Sequence, residues 1–77
     1  MKNRLAELRN RAGLSQAELG AALTVSRQTV NAVEKGRFCP SLPLAFRMAD
    51  YFSLAIEDIF DPGEGGPVLR EPEVTDQ

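Results

Sequence analysis

Histidine and tryptophan are absent from this 77-residue chain, cysteine occurs once, and no apolar run approaches the length of a membrane span. Each absence closes off a class of function. With no histidine, and no cluster of Cys, Asp or Glu at ligand spacing, no metal site is expected. No nucleophile and base pair appears. Gly63, Gly65 and Gly66 precede no helix that would cradle a phosphate, so catalysis is unsupported and no cofactor is implied. A membrane helix needs about 20 apolar residues, and none is present. One cysteine in a chain without a secretory signal fits a reduced, cytoplasmic setting. Cys39 is then either a redox-sensing thiol or an inert small apolar residue.

A strong cationic excess is missing as well, the net charge being −2. The charge is unevenly placed. Residues 1–60 hold eight Lys or Arg against six acids, giving +2, while residues 61–77 hold one Arg against five acids, giving −4. The two parts also differ in composition, because the second holds three Pro and three Gly among few apolar residues. The division is therefore a domain over 1–62 and an acidic tail over 63–77, either disordered or clasping a partner through Pro67-Val68-Leu69-Arg70. A single domain of this length lies near the lower limit for a self-sufficient core, and such domains often gain stability by oligomerising.

What is present is concentrated in residues 14–36. Ser15 with Glu18 three residues on is a capping box, which starts a helix and satisfies its first N–H groups. Leu19 and Leu23, four apart, face inward, and Gly20 marks a close crossing with the next helix. Ser26 then caps a second helix. At about 100° per residue, Arg27, Gln28, Asn31, Ala32 and Lys35 share one side, and Ser26, Thr29, Val30 and Val33 share the other. The second set is small or β-branched and suits packing. The first is polar and cationic from its first turn. Two short helices joined by a tight turn make a helix-turn-helix, whose second helix can enter the DNA major groove.

The chemistry of the polar face fits base reading. Arg27 suits guanine O6 and N7, Gln28 suits adenine N6 and N7, and Asn31 reaches a further base or a phosphate. Ala32 offers apolar contact to a thymine methyl. The alternative for such a face is plain solvation, and the capped helix and turn before it argue for the groove. Gln16 sits in the first turn of the earlier helix, beside free N–H groups and the positive dipole end, a docking point for phosphate. Ser26, Thr29, Lys35 and Arg37 are further phosphate contacts. Arg4 and Arg11 point outward, either to phosphate or to solvent.

The flanking segments read as scaffold. Residues 2–12 are helix-forming, with Leu5 and Leu8 inward and Gly13 as the C-terminal cap. Ser41 caps a fourth helix with Pro43 in its first turn, and Leu44, Met48, Tyr51 and Phe52 form its apolar stripe. Ile56, Ile59 and Phe60 belong to a short fifth helix ended by Asp61-Pro62-Gly63. No segment over residues 1–61 reads as a strand. The fold expected is all-α, with five helices.

Leu14-Ser15-Gln16-Ala17-Glu18-Leu19, Val25-Ser26-Arg27-Gln28-Thr29-Val30 and Val33-Glu34-Lys35-Gly36 occur in that order. With Pro40-Ser41-Leu42, Leu44-Ala45 and Ile56-Glu57-Asp58-Ile59-Phe60, they resemble the Cro and phage-repressor class of helix-turn-helix regulators, also called the xenobiotic-response-element type. The likeness spans residues 1 to about 61. It implies the lambda-repressor-like five-helix fold, a phosphate contact at Gln16, base readers at Arg27 and Gln28, and a structural ion pair between Arg9 and Glu34. One departure stands out. The family usually places Gly in the turn between the two helices, and here the position is Thr24, where a left-handed backbone is strained.

The function expected from these features is sequence-specific binding of double-stranded DNA by a homodimer at a palindromic operator, with repression of transcription. Two copies related by a two-fold axis read half-sites about one helical turn apart. Helix five and apolar side chains near residues 52 to 60 are expected at the dimer surface. The alternative is an antitoxin or other interaction module whose tail binds a partner protein.

Overall fold

Serine opens three of the five helices. The computed structural model describes residues 2–61, so the expectations for the tail over 63–77 lie outside the described residues. In chain order the elements are β1 (Lys2–Asn3), α1 (Leu5–Arg11), α2 (Gln16–Leu23), α3 (Arg27–Glu34), α4 (Leu42–Phe52), α5 (Ile56–Ile59) and β2 (Phe60–Asp61). Ser15, Ser26 and Ser41 each accept, through Oγ, the backbone N–H three residues on, ahead of α2, α3 and α4. Each cap satisfies one of the N–H groups that a helix start leaves without a partner. At Ser15 the box is complete, since Glu18 Oε1 accepts the Ser15 N–H at 2.7 Å.

The helix ends share a second device. After α1, Gly13 N–H donates to Asn10 O and Leu14 N–H to Arg9 O, the paired bonds of a Schellman ending with a left-handed residue at its corner. The same pair of bonds closes α2 at Thr24, α3 at Gly36 and α4 at Ser53. Two corners are glycine, with φ of 75° and 76°, and two are not: Thr24 at 65° and Ser53 at 56°. Thr24 itself occupies the left-handed corner of the turn, and the surrounding bonds hold it in the strained region. The left-handed conformation costs a residue with a Cβ about 1–2 kcal/mol, and the exposed Thr24 side chain has no packing to offset it. Thr24→Gly should therefore stabilise the protein by about 1 kcal/mol after glycine's larger unfolded-state entropy is counted. In thermal denaturation that is a rise of roughly 4–8 °C for a domain this small, and an unchanged or lowered midpoint would refute the strain.

The expectation that no segment is a strand is corrected. β1 and β2 pair antiparallel, Lys2 with Asp61 and Asn3 with Phe60, and Arg4 N–H extends the tie to Ile59 O at 2.8 Å. Two-residue strands are too short to show alternation, so nothing in the local pattern announces them. Their pairing also shortens α1, which starts at Leu5 rather than residue 2. Asn3 Oδ1 accepts the Leu5 N–H at 3.0 Å in place of a cap from the Arg4 side chain.

The core is built from one face of each helix and from β2: Leu5 and Leu8, Leu19 and Leu23, Val30 and Val33, Leu44, Ala45, Met48 and Ala49, Ile59, then Phe60 of β2. Tyr51 is corrected from core to surface at 45% exposure. Its ring meets Phe52 edge to face at 5.1 Å, and Ala45 and Ala49 take the inner positions, where small side chains let α4 sit close to its neighbours. Within residues 52–60, expected at the dimer surface, the large apolar side chains are at least partly covered within one chain. Ile59 and Phe60 are buried, and Phe52, Leu54 and Ile56 pack partly against the core. The exposed large apolar side chains are instead Phe38, Leu42, Phe46 and Tyr51.

Candidate nucleic-acid interface

The sequence of the α2–α3 turn brings two backbones unusually close. A Cβ built on Gly20 would lie 2.7 Å from the Val25 carbonyl oxygen, inside van der Waals contact, and Val25 N–H donates to Gly20 O at 2.8 Å. Glycine is thus required less by the crossing of the helices than by the turn folding back over α2. Arg47 adds a brace, its Nε donating to Leu23 O at 3.2 Å, where a cation also suits the negative end of the α2 dipole.

These restraints fix how α3 is presented. Val30 and Val33 are buried behind it, which turns Arg27, Gln28 and Lys35 to solvent and leaves Asn31 and Ala32 half-buried. Arg27 and Gln28 make no hydrogen bond to a described residue and are not otherwise partnered. They stand in the first turn, on the outer side, with donors and acceptors unspent. Arg37, just past Gly36, is exposed as well. Ser26 Oγ and Thr29 Oγ1 lie 3.0 Å apart, so one hydroxyl donates to the other and both sit at the α3 N-terminus.

Arg9 and Glu34 lie at the junction of α1 and α3. Arg9 Nε reaches Glu34 Oε2 at 2.6 Å and Arg9 Nη2 reaches Glu34 Oε1 at 3.2 Å, a forked pair with side chains only 15% and 7% exposed. The hydrogen bond to Glu34 raises the Arg9 pKa above its ordinary value, against the opposing effect of burial. Arg9 Nη1 also donates to Leu14 O at 2.9 Å, so one guanidinium joins α1, α3 and the loop before α2. Asn3 adds a further brace that no local pattern announced, its Nδ2 donating to Val33 O at 2.8 Å.

Gln16 is not free-standing. Its Nε2 donates to Glu34 Oε1 at 3.0 Å and to Asn31 Oδ1 at 3.1 Å, which uses both amide hydrogens and turns them away from solvent. Arg4 and Arg11 both engage Glu7, at 3.4 and 3.0 Å. The Arg4 hydrogen bond and charge hold the Glu7 carboxyl below its usual range, and exposed pairs of this kind add little stability.

Arg27 and Gln28 thus stand exposed in the first turn of α3, with Ser26 and Thr29 at its N-terminus, Lys35 just past its C-terminal end, and Gln16 at the start of α2 bonded to Asn31. A family model described as Helix-turn-helix (HTH_3) matches residues 5–59. The chain belongs to that family. Within it, this helix-turn-helix protein is of the Cro and phage-repressor type, a class of DNA-binding transcription regulators. It is 52% identical over 60 residues to the uncharacterized HTH-type transcriptional regulator YgzD of Bacillus subtilis, a match covering 78% of this chain and 91% of the relative. An uncharacterized HTH-type transcriptional regulator of Methanocaldococcus jannaschii shows the same identity and coverage. One from Methanothermobacter thermautotrophicus is 46% identical over 67 residues, covering 86% of this chain and 97% of that one. Among the described residues of this helix-turn-helix protein, no helix is long and apolar enough to cross a membrane.

Proposed function

We propose that this protein binds double-stranded DNA as a homodimer, reading a palindromic operator with α3 in the major groove and repressing transcription in the cytoplasm. The observation that carries the reading is the first turn of α3. Arg27 and Gln28 stand there exposed and unpartnered, while buried Val30 and Val33 hold the helix against the core. A groove-bound helix presents its N-terminal residues to base edges, and these are side chains that read bases bidentately. Asn31 is the third reader. Ser26, Thr29, Lys35, Arg37 and the start of α2 at Gln16 are the phosphate contacts that set register. Arg9 and Glu34 hold α1 against α3 behind them.

A single module contacts few base pairs, so selectivity calls for two copies on one duplex. The exposed Phe38, Leu42 and Phe46 supply apolar surface for a protein contact. Occupying an operator suffices for repression. The test is selection from a random duplex pool at fixed salt. A two-fold symmetric motif, with half-sites about one helical turn apart and two chains per duplex, is the expected result. A folded protein that enriches no motif would refute the reading and favour the alternative, an interaction module working through residues 63–77.

A further inference from the structure

A chain of hydrogen bonds runs from the part-buried junction of α1 and α3 to the outer side of α3, and its direction is dictated by its charged end. Arg9 is a donor only, so both Glu34 oxygens are acceptors where they meet it. Glu34 Oε1 in turn can only accept from Gln16, which makes the Gln16 atom 3.0 Å away its Nε2. That same Nε2 lies 3.1 Å from Asn31. It can only donate there, so the Asn31 atom is Oδ1. Each amide is thereby fixed in one of its two orientations by the charge of an arginine two links away. What remains at the outer end is Asn31 Nδ2, which donates to nothing among the described residues.

We infer that Arg9, Glu34 and Gln16 form a relay that sets the hydrogen-bond polarity of Asn31, presenting it to DNA as a donor and directing it to guanine. The inference rests on the proposed reading of α3 as the groove-bound helix. An asparagine reading adenine bidentately must accept from N6 through Oδ1 while donating to N7. Here one of the two Oδ1 lone pairs is already taken by Gln16, so an adenine contact must meet the single lone pair that is left and is restricted to its direction. Guanine asks nothing of Oδ1, since N7 and O6 are both acceptors and suit the free Nδ2 donors. Gln16 then acts as a positioning residue for base choice, and its removal frees Asn31 to turn over.

The experiment compares wild type with Asn31→Ala, Gln16→Ala and Gln16→Met on duplexes that vary only at the position Asn31→Ala relaxes, each protein first checked by circular dichroism for an intact helical fold. Loss of a phosphate contact weakens all sequences alike, so the guanine-to-adenine ratio isolates polarity from affinity. Wild type should favour guanine over adenine by about tenfold at that position, the lower part of the range for one specific contact. Both Gln16 variants should bring the ratio near one, and Asn31→Ala should abolish it. A wild-type preference for adenine, or a ratio unmoved in both Gln16 variants, would overturn the relay while leaving operator binding intact. A motif with no position relaxed by Asn31→Ala would overturn it equally. Failure of wild type to enrich any motif would instead defeat the reading on which it rests.

Discussion

Replacing Glu34 with alanine should lower the free energy of unfolding by about 1–3 kcal/mol, because it leaves a part-buried arginine without its forked hydrogen-bond partner. The size follows from burial. An exposed ion pair is worth about 0–1 kcal/mol, but the Arg9 and Glu34 side chains are only 15% and 7% exposed. The change also removes the acceptor that Gln16 uses. Small domains have about 5–15 kcal/mol in total, so the variant should melt roughly 5–20 °C lower. The double variant Arg9→Met with Glu34→Leu makes the cause testable. Replacing both charges by apolar groups of similar volume is often neutral or stabilising, so much of the loss should return. Urea denaturation of the single and double variants measures both. A loss under 1 kcal/mol for Glu34→Ala would mean that the pair behaves as though solvated. The double variant also separates fold from recognition, since it lacks the carboxylate that orients Gln16.

Arg27→Ala combined with Gln28→Ala should leave the fold untouched and remove most sequence discrimination. Both side chains are exposed and make no hydrogen bond to a described residue, so stability should change by less than about 0.5 kcal/mol. Each bidentate base contact discriminates by about 1–3 kcal/mol. Two contacts per half-site then give about 2–6 kcal/mol, at least roughly 30-fold in affinity for the selected operator. Binding to unrelated duplex should fall far less, because it rests on phosphate contacts. Lys35→Ala and Arg37→Ala provide the contrast. They should weaken binding about equally on all sequences and reduce the salt slope by about one each. Titrations at several salt concentrations on operator and scrambled duplexes distinguish the two classes. A double Arg27, Gln28 variant that still prefers the operator by its original factor would remove the first turn of α3 from base reading.

Much of this protein was legible before folding because its signals are local. A capping serine needs only the residues three positions on, so the starts of α2, α3 and α4 could be read from Ser15, Ser26 and Ser41. The two faces of α3 follow from helical periodicity, which places Val30 and Val33 opposite Arg27 and Gln28. Tyr51 and Phe60 mark where that reasoning stops. Local reading puts Tyr51 in the apolar stripe of α4 and Phe60 in the fifth helix, yet Tyr51 is exposed and Phe60 is buried in β2, because burial depends on which element lies opposite. The β1–β2 ladder is beyond local pattern altogether, since its partners are some 57 to 59 residues apart and each strand is only two residues long.

By itself the sequence determined the helices, the turn between α2 and α3, the family and which side chains of α3 face outward, all set by neighbours within about a turn. Tertiary structure decided how those side chains are held. That Thr24 keeps the left-handed corner, that Asn3 reaches Val33, and that one Gln16 nitrogen joins Glu34 to Asn31 are consequences of residues far apart in the chain being brought within hydrogen-bond distance. Hydrogen bonds are directional and act at about 3 Å, so the orientation of the Asn31 amide is set only once its partner Gln16 is in place.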